Sequence, residues 1–423
     1  MNVLLLGSGG RENAIAWKLS RSPLLNALFI APGNAGTSDY GQNIAINPLD
    51  FEAVKSTTLK YEIDLVIVGP EEPLVRGIVD FFHVDPLLEN IPIIGPSQQG
   101  ALLEGSKEFG KKFMHKYGIP TASYRSFSKE QLNEGLAYLK PLSPPIVLKA
   151  DGLAAGKGVL ILDDITEAEQ NFTEMLGGKF GTASSKVVIE EYLNGIEFSV
   201  FVLTDGASYQ LLPIAKDYKR IGENDSGLNT GGMGAVSPVS FVDEVLLEKV
   251  TKRIIEPTIS GIGKEKINYT GFIFFGLIAV KGEPYVIEYN CRLGDPETEV
   301  VLPRIKNDLL HLLIQTTRGN LSSQSIEITK DYALTTILVS QGYPEEYEKG
   351  HEIKGIEEID EAIVFHAGTK MESEKLLTNG GRVLAITGMG SSKNEAKKIS
   401  IEAAEKIFYQ GKFYRTDIGF DLE

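Results

Sequence analysis

The sequence predicts an α/β protein in three parts. These are an N-terminal doubly wound parallel-sheet domain, a central unit carrying a glycine-rich flap, and a small α+β C-terminal domain. Three observations carry this. Residues 1–103 alternate continuously apolar strand-like runs with helix-like stretches, the texture of a parallel sheet covered on both faces. Residues 146–162 read strand–loop–strand with no helix between, which is a hairpin. A last unit begins near residue 325 and ends in one helix. A chain of 423 residues also suits roughly three domains at about 150 residues each.

The N-terminal elements follow in order. Val3–Leu6 is a strand closed by Gly7-Ser8-Gly9-Gly10, and the amphipathic stretch Arg11–Ser20 is its helix. Leu28–Ile30, Leu65–Val68 and Ile91–Ile94 are further strands, two of them punctuated by Gly69-Pro70 and Gly95-Pro96. A basic helix, Lys107–Tyr117, opens the central unit. Ile146–Lys149 and Val159–Leu162 flank the glycine loop. Val187–Ile189, Phe198–Leu203 and Gln210–Ile214 carry antiparallel-type patterning. Lys216–Gly234 is polar and glycine-rich, Val242–Ile259 is helix-like, and Phe272–Val280 with Tyr285–Glu288 flanks a Lys281-Gly282 turn. Strands near Ala333–Val339, Ile363–His366 and Val383–Ile386 precede a helix at Asn394–Phe408. There is no internal repeat.

Composition narrows the class. Hydrophobic residues are 42% and charged residues 23%, values of a folded soluble chain, so wholesale disorder is excluded. The 44 glycines exceed the usual ~7% and point to tight turns or backbone-lined ligand loops. With 57 acidic against 42 basic residues the net charge is −15, which argues against nucleic acid as a partner. Anionic ligands must then be held by local cations and backbone N–H groups. One cysteine, Cys291, excludes an intrachain disulfide and a cysteine-based zinc cluster. No run approaches the ~20 apolar residues of a membrane span, and the first residues lack the basic leader and cleavage site of a signal peptide. A cytoplasmic protein without a membrane partner is expected, with a monomer as its expected state.

Four constellations carry chemistry. Gly7-Ser8-Gly9-Gly10-Arg11 joins a strand to a helix, which makes an anion site of the helix N-terminus. It departs from the dinucleotide fingerprint because Glu12 stands at the sixth position and no acid follows the second strand. A phosphate-bearing substrate with Arg11 adding charge is the preferred reading, and a ligand-free tight turn is the plain one. The flap Asp151–Gly158, with Lys149 before it and Lys157 inside it, lets backbone N–H groups reach phosphate oxygens. It is not a P-loop, since Asp151 and Gly158 stand at the required Gly and Ser/Thr positions. It suits a mobile cover over a nucleoside triphosphate, or else a solvated hairpin. Glu288, Asn290 and Arg292 share a face at a period of two. They offer two hard oxygen ligands for Mg²⁺ bridging triphosphate oxygens and a cation for the transferring group. Asp217-Tyr218-Lys219-Arg220 and Asn229–Gly234 pair charge with glycine in a loop that could close on an anion or simply be solvated. The five histidines (83, 115, 311, 351, 366) show no metal spacing, and Cys291 lies off the ligand face as a buried small residue.

These runs, collinear along almost the whole chain, resemble the glycinamide ribonucleotide synthetase (phosphoribosylamine–glycine ligase) family of the ATP-grasp superfamily. LGSGGRENA, APGNAGT, IVGPEEPLVRG, LEGSK, VLKADGLAAGKGV, DYKR, NTGGMGA, YTGF, VIEYNCRLGDPETE, NGGRVLAIT and YRTDIG carry the resemblance. It implies an N-terminal domain over 1–103, an ATP-grasp domain over 104–324 with its flap at about 121–192, and a C-terminal domain over 325–423. It also implies ligation of glycine to 5-phosphoribosylamine through a glycyl phosphate, with ATP and Mg²⁺ or Mn²⁺, in purine biosynthesis. By the same resemblance Glu288 and Asn290 are metal ligands. Lys107, Lys149, Gly152, Gly156, Lys157 and Gly158 contact ATP phosphates. Glu190, Glu191, Tyr192 and Leu193 form the adenine hinge, and Glu197 the ribose site. Gly9, Gly10, Arg11, Asp217, Lys219, Arg220, Arg292, Gly294 and Asp295 face the substrates, with Arg292, Lys149 and Asp217 catalytic. The family commonly has His at Asn13, His at Tyr218 and Pro at Leu228. Many ATP-grasp enzymes place a second acid on the strand that reads Gly271–Phe275 here, where there is none. Another ATP-grasp ligase or carboxylase, a non-catalytic nucleotide-binding module and a dehydrogenase are the rival readings.

Overall fold

Five parallel strands open the chain in the order 3-2-1-4-5: β1 (Asn2–Gly7), β2 (Ala27–Pro32), β3 (Gln42–Asn43), β4 (Leu65–Val68) and β5 (Ile93–Pro96). In this computed structural model, residues 1–154 and 158–422 are described. Val3 and Leu5 enter one hydrophobic core while Leu4 and Leu6 enter another, so the sheet is covered on both faces as its continuous apolar runs predict. Helix α1 (Gly10–Leu19) follows β1, and each of its residues is buried.

The flap is a separate four-stranded antiparallel sheet, ordered 6-9-7-8, of β6 (Tyr124–Ser128), β7 (Ile146–Ala150), β8 (Val159–Leu162) and β9 (Lys186–Glu191). Helices Leu132–Leu139 and Ile165–Leu176 cover it, and Phe127, Leu148, Phe172, Met175 and Ile189 form its own core. Strands β7 and β8 pair directly, with Lys149 opposite Val159, as the strand–loop–strand reading expects. Of the glycine loop between them, Gly156 and Lys157 lie outside the described residues.

The polar stretch after the flap holds more structure than its sequence suggests. Strand β10 (Ile196–Thr204) pairs with β11 (Tyr209–Leu211), which stops short of the expected Ile214 because Pro213 has no N–H for a ladder. Short strands β12 (Lys216–Asp217), β13 (Arg220–Gly222), β14 (Ser226–Asn229) and β15 (Gly234–Ser237) follow. Asn224 and Asp225, both at positive φ, turn β13 into β14; these two residue types tolerate that conformation. The expected helix Val242–Ile259 runs as Glu244–Val250, a π-turn at Thr251–Ile255, and Glu256–Lys264. Pro257 cannot donate to the carbonyl four residues back, and the wider turn absorbs that loss.

Strands β16 (Tyr269–Val280) and β17 (Glu283–Asn290) complete the centre. Strand β16 pairs with β10, with β17 and, at Tyr269 and Thr270, with Pro96 and Gly95 of β5. The N-terminal sheet therefore continues into the central one as a single nine-stranded sheet. Glycines permit the junction: a Cβ on Gly271 would sit 3.2 Å from the Gly95 nitrogen. Beyond it come β18 (Tyr332–Val339), β19 (Ile363–His366), the hairpin β20 (Thr369–Glu372) and β21 (Lys375–Thr378), and β22 (Arg382–Gly390). The five-stranded C-terminal sheet, ordered 12-15-18-22-19, takes two of its strands from residues 216–237. Helix Lys393–Lys406 packs on β18 and β22. No helix among the described residues is long and apolar enough to cross a membrane.

Candidate active site

A bulge at Ile287 aims the centre of the site. Val286 stands opposite Leu277 and Glu288 opposite Gly276, so Ile287 is the extra residue. Val286 and Tyr289 point into the core, which leaves Glu288 and Asn290 on the other face. Lys107 Nζ lies 2.9 Å from Glu288 Oε2, and Lys149 Nζ donates to the Ile287 carbonyl at 3.2 Å. Burial alone would raise the Glu288 carboxyl, but Lys107, Lys149 and Lys219 outweigh it and hold the group at about 2. The carboxylate is therefore fully ionised at neutral pH.

Lys149 is also bound to Glu190 Oε2 (3.0 Å), which accepts Lys111 as well (3.1 Å). Glu190 Oε1 is buried without a partner. Burial lowers the Lys111 ammonium to about 8, with Glu190 opposing and Lys149 adding to the shift. Ser106 caps the helix Lys107–Lys116, and its Oγ also donates to Asp151 at the root of the flap. Asp151 fastens the flap further: its Oδ1 accepts the Glu108 N–H (2.7 Å), and its carbonyl accepts the Lys107 N–H (2.9 Å). At that root Gly152 donates to the Ala183 carbonyl, and the Gly158 carbonyl accepts from Ala150. Exposed Glu191 ends β9, and Tyr192 with half-buried Leu193 leads on to β10, Glu191 taking the Ser123 N–H at 2.8 Å. Glu197 at the start of β10 is paired with Lys219 (2.7 Å), whose Nζ is 3.5 Å from Asp217.

Arg292 is pinned from two sides, by Glu104 (2.9 Å) and Glu71 (3.5 Å), and it donates to Asn290 Oδ1 (3.1 Å). Glu104 also accepts the Cys291 N–H (2.8 Å) and thiol, so Cys291 is the buried small residue its parity implied. Asn290 Nδ2 has no partner. A carboxylate and an amide side by side, with no group of three His, Cys, Asp or Glu ligands among the described residues, fit a cation held mainly by phosphate oxygens.

The loops expected to face the substrates meet beyond Arg292. Gly294 leaves room for Glu297: a Cβ there would lie 2.2 Å from Glu297 Oε2, and the carboxyl would have to shift. Glu297, bound by the Ser199 hydroxyl at 3.2 Å, is raised to about 7 by burial and then by the charge of Asp217. Past this loop a cavity of about 310 Å³ is lined by Gly9, Gly10, Asn34, Asp295, Asn379 and Arg382, among others. It brings together three distant stretches of chain. Arg382 Nη1 binds Asp295 Oδ1 (3.0 Å) and the carbonyls of Asp295 (2.7 Å) and Gly231 (2.6 Å).

Not every expected residue joins these clusters. The Arg11 guanidinium points to Glu12 (2.7 Å) and the Leu293 carbonyl (3.2 Å), and Arg382 is the one cation among the cavity's lining residues. Arg220 donates to the Gly227 carbonyl within the β13–β14 hairpin. Glu12 explains the departure from the dinucleotide fingerprint: its carboxylate takes the Gly9 N–H (2.6 Å) and fills the space that Gly7 and Gly69 leave. Sequence reasoning missed Glu71, Glu104, Lys111, Glu297, Asn34, Asn379 and Arg382. Their signal is only that each lies in or beside a glycine-rich or charged run.

The chain matches the profiles of the phosphoribosylglycinamide synthetase N domain over residues 1–104, the ATP-grasp (A) domain over 105–298 and the C domain over 333–421. It is 44% identical to a phosphoribosylamine–glycine ligase of Pasteurella multocida, across 99% of this chain and 98% of that one. The crystal structure of the phosphoribosylamine–glycine ligase of Thermotoga maritima superposes with a TM-score of 0.86 at 37% identity, covering 99% of this chain and 100% of the other. A biotin carboxylase of Campylobacter jejuni shares the fold alone, at 16% identity and a TM-score of 0.72, over 99% of this chain and 94% of that one. The chain belongs to the phosphoribosylglycinamide synthetase family.

Proposed function

We propose that this chain joins glycine to 5-phosphoribosylamine, with ATP as the energy source, giving glycinamide ribonucleotide, ADP and phosphate in de novo purine biosynthesis. The observation that carries it is the run of contacts from the Lys107–Glu288–Lys149 cluster through Asn290 and Arg292 to the Leu293–Glu297 loop, whose Asp295 lines the glycine-lined cavity. A carboxylate is a poor electrophile until phosphorylated, and both steps reward positioning and charge neutralisation rather than a protein nucleophile.

Lys107 and Lys149, with the flap glycines, hold the triphosphate, and the Glu190–Leu193 link and Glu197 hold the nucleoside. Glu288 and Asn290 would hold Mg²⁺ or Mn²⁺, which neutralises phosphate charge when bound. Glycine lies by Arg292, Asp217 and Lys219. Its carboxylate oxygen bonds to the γ-phosphorus, and the bond from that phosphorus to the ADP oxygen breaks. The amine nitrogen then bonds to the acyl carbon, the carbon–oxygen bond to phosphate breaks, and Glu297 takes the proton that the nitrogen sheds. Gly9, Gly10, Asp295 and Arg382 hold the phosphoribosyl end. We place the reaction in the cytoplasm, with a single chain supplying every residue named.

The test is ADP release with ATP, Mg²⁺, glycine and phosphoribosylamine generated in situ, each omitted in turn. Release should need both glycine and the amine, and fall roughly 10²–10³-fold in Glu288→Ala. Release without the amine would identify another acceptor, and none under any combination would leave a nucleotide-binding module.

A further inference from the structure

Glu299, on the helix Thr298–Arg304, is 1% exposed, and neither carboxyl oxygen has a hydrogen-bond partner. A buried, unpaired carboxylate costs several kcal/mol, so such a group is kept protonated or is partnered. Its position is specific. A Cβ on Gly10 would lie 2.3 Å from Glu299 Oε1 and 3.7 Å from the Ala367 Cβ, and Gly10 and Ala367 both line the cavity, so the carboxyl presses on a residue of the cavity wall. Asn13, one turn along α1 on the same face as Gly10, is fully buried with an unpartnered Nδ2. Its Oδ1 accepts the His366 N–H at 3.0 Å, which fixes the amide against the C-terminal sheet. The charges around Glu299 are Asp295 and Glu297 of the same segment and Arg382 from β22; burial and the two acids hold its carboxyl well above the usual range.

We propose that Glu299 and Asn13 are two positioning residues for the phosphoribosyl end. Glu299, a neutral carboxylic acid pressed against Gly10, sets where the N–H groups of the Gly9–Gly10 turn meet the ligand, and Asn13, through the His366 N–H, sets the Ala367 wall beside it. An acid suits this task because its protonated form fills the space under a glycine without presenting a negative charge to a phosphate above it. The proposal rests on the reading that the cavity takes the phosphoribosyl group.

The experiment compares Glu299→Ala, Glu299→Gln and Asn13→Ala in the full chain. Glu299→Ala and Asn13→Ala should raise KM for phosphoribosylamine about tenfold or more, while KM for ATP and glycine stays within about twofold. Glu299→Gln, neutral and of the same shape, should restore KM to within about threefold of the parent. The infrared C=O band of a protonated carboxyl should be present in the parent at about pH 8 and missing in Glu299→Gln. An equal rise in all three KM values, a Gln variant as impaired as the Ala variant, or no such band would overturn the pair. Should Glu299→Ala not fold, Asn13→Ala and the infrared comparison still decide. A parent enzyme that makes no glycinamide ribonucleotide would refute the functional reading instead, and the infrared band is read independently of activity.

Discussion

Glu297 shows how one residue's surroundings set its chemistry. The same carboxyl in water would be ionised from about pH 4.5 upward, but burial and the charge of Asp217 raise it to about 7. A proton acceptor is most useful near that value. The rate should therefore climb with pH and level off above about 7, and Glu297→Gln should lower kcat roughly 10²-fold and flatten that limb. A pH–rate profile of both enzymes checks it. The sign for stability runs the other way. The folded state keeps a proton that the unfolded chain has already lost between about pH 4.5 and 7, so Glu297 makes the fold less stable as pH rises through that window. Glu297→Gln should remove that slope from denaturant midpoints. Glu288 behaves oppositely, held at about 2 by Lys107 and Lys149. Its contribution is complete above about pH 4.5 and disappears as pH falls toward about 2.

At the scale of elements, what sequence could reveal depended on whether the cause was local. The apolar runs of β1 and β4, the β7–β8 hairpin and the Glu288–Asn290–Arg292 face follow from periodicity and neighbouring residues, and each is present. The joining of β16 to β5 is not a local property, because Gly95 and Gly271 meet across 176 positions of chain. Nor could spacing show that Arg11 turns away from the cavity while Arg382, more than 370 positions later, lines it. The β7–β8 hairpin was legible because its strands and the glycines between them are neighbours in sequence, whereas the core that the flap builds with its two helices was not, and that core makes a prediction. Phe172 is fully buried among Phe127, Leu148 and Ile189, separate from the other hydrophobic clusters. Phe172→Ala should cost the flap about 3–5 kcal/mol and open it locally. Hydrogen exchange should then accelerate over about 121–192 and not in β1 or β18, and KM for ATP should rise more than KM for glycine. Faster exchange everywhere would mean that the flap does not fold as a unit of its own.

The molecule as a whole must hold a phosphate despite a net charge of −15. Electrostatic attraction over long range is unfavourable, so the anion depends on charge placed locally and on backbone N–H groups. On the proposed reading the cavity does this with the N–H groups of the glycines in the first βα turn and with one lining arginine, Arg382 of β22, which Asp295 holds in place. Arg382 serves two ends, since the same Nη1 that ties Gly231 and Asp295 together puts the positive charge at the cavity wall. A hydrogen bond to a charged group is worth about 1.5–3 kcal/mol, so Arg382→Ala should raise KM for phosphoribosylamine by roughly 10–100-fold. KM for ATP, which we assign to Lys107 and Lys149 on the far side of Arg292, should stay within about twofold. Arg382→Lys keeps the charge but not the fork of donors, and should fall between the two. In the parent, KM for phosphoribosylamine should also rise with ionic strength, because screening weakens a partly exposed pair. If Arg382→Ala raised KM for ATP and phosphoribosylamine alike, the arginine would be a tie between loops and nothing more, and the phosphate would have to be held by the glycine turn alone.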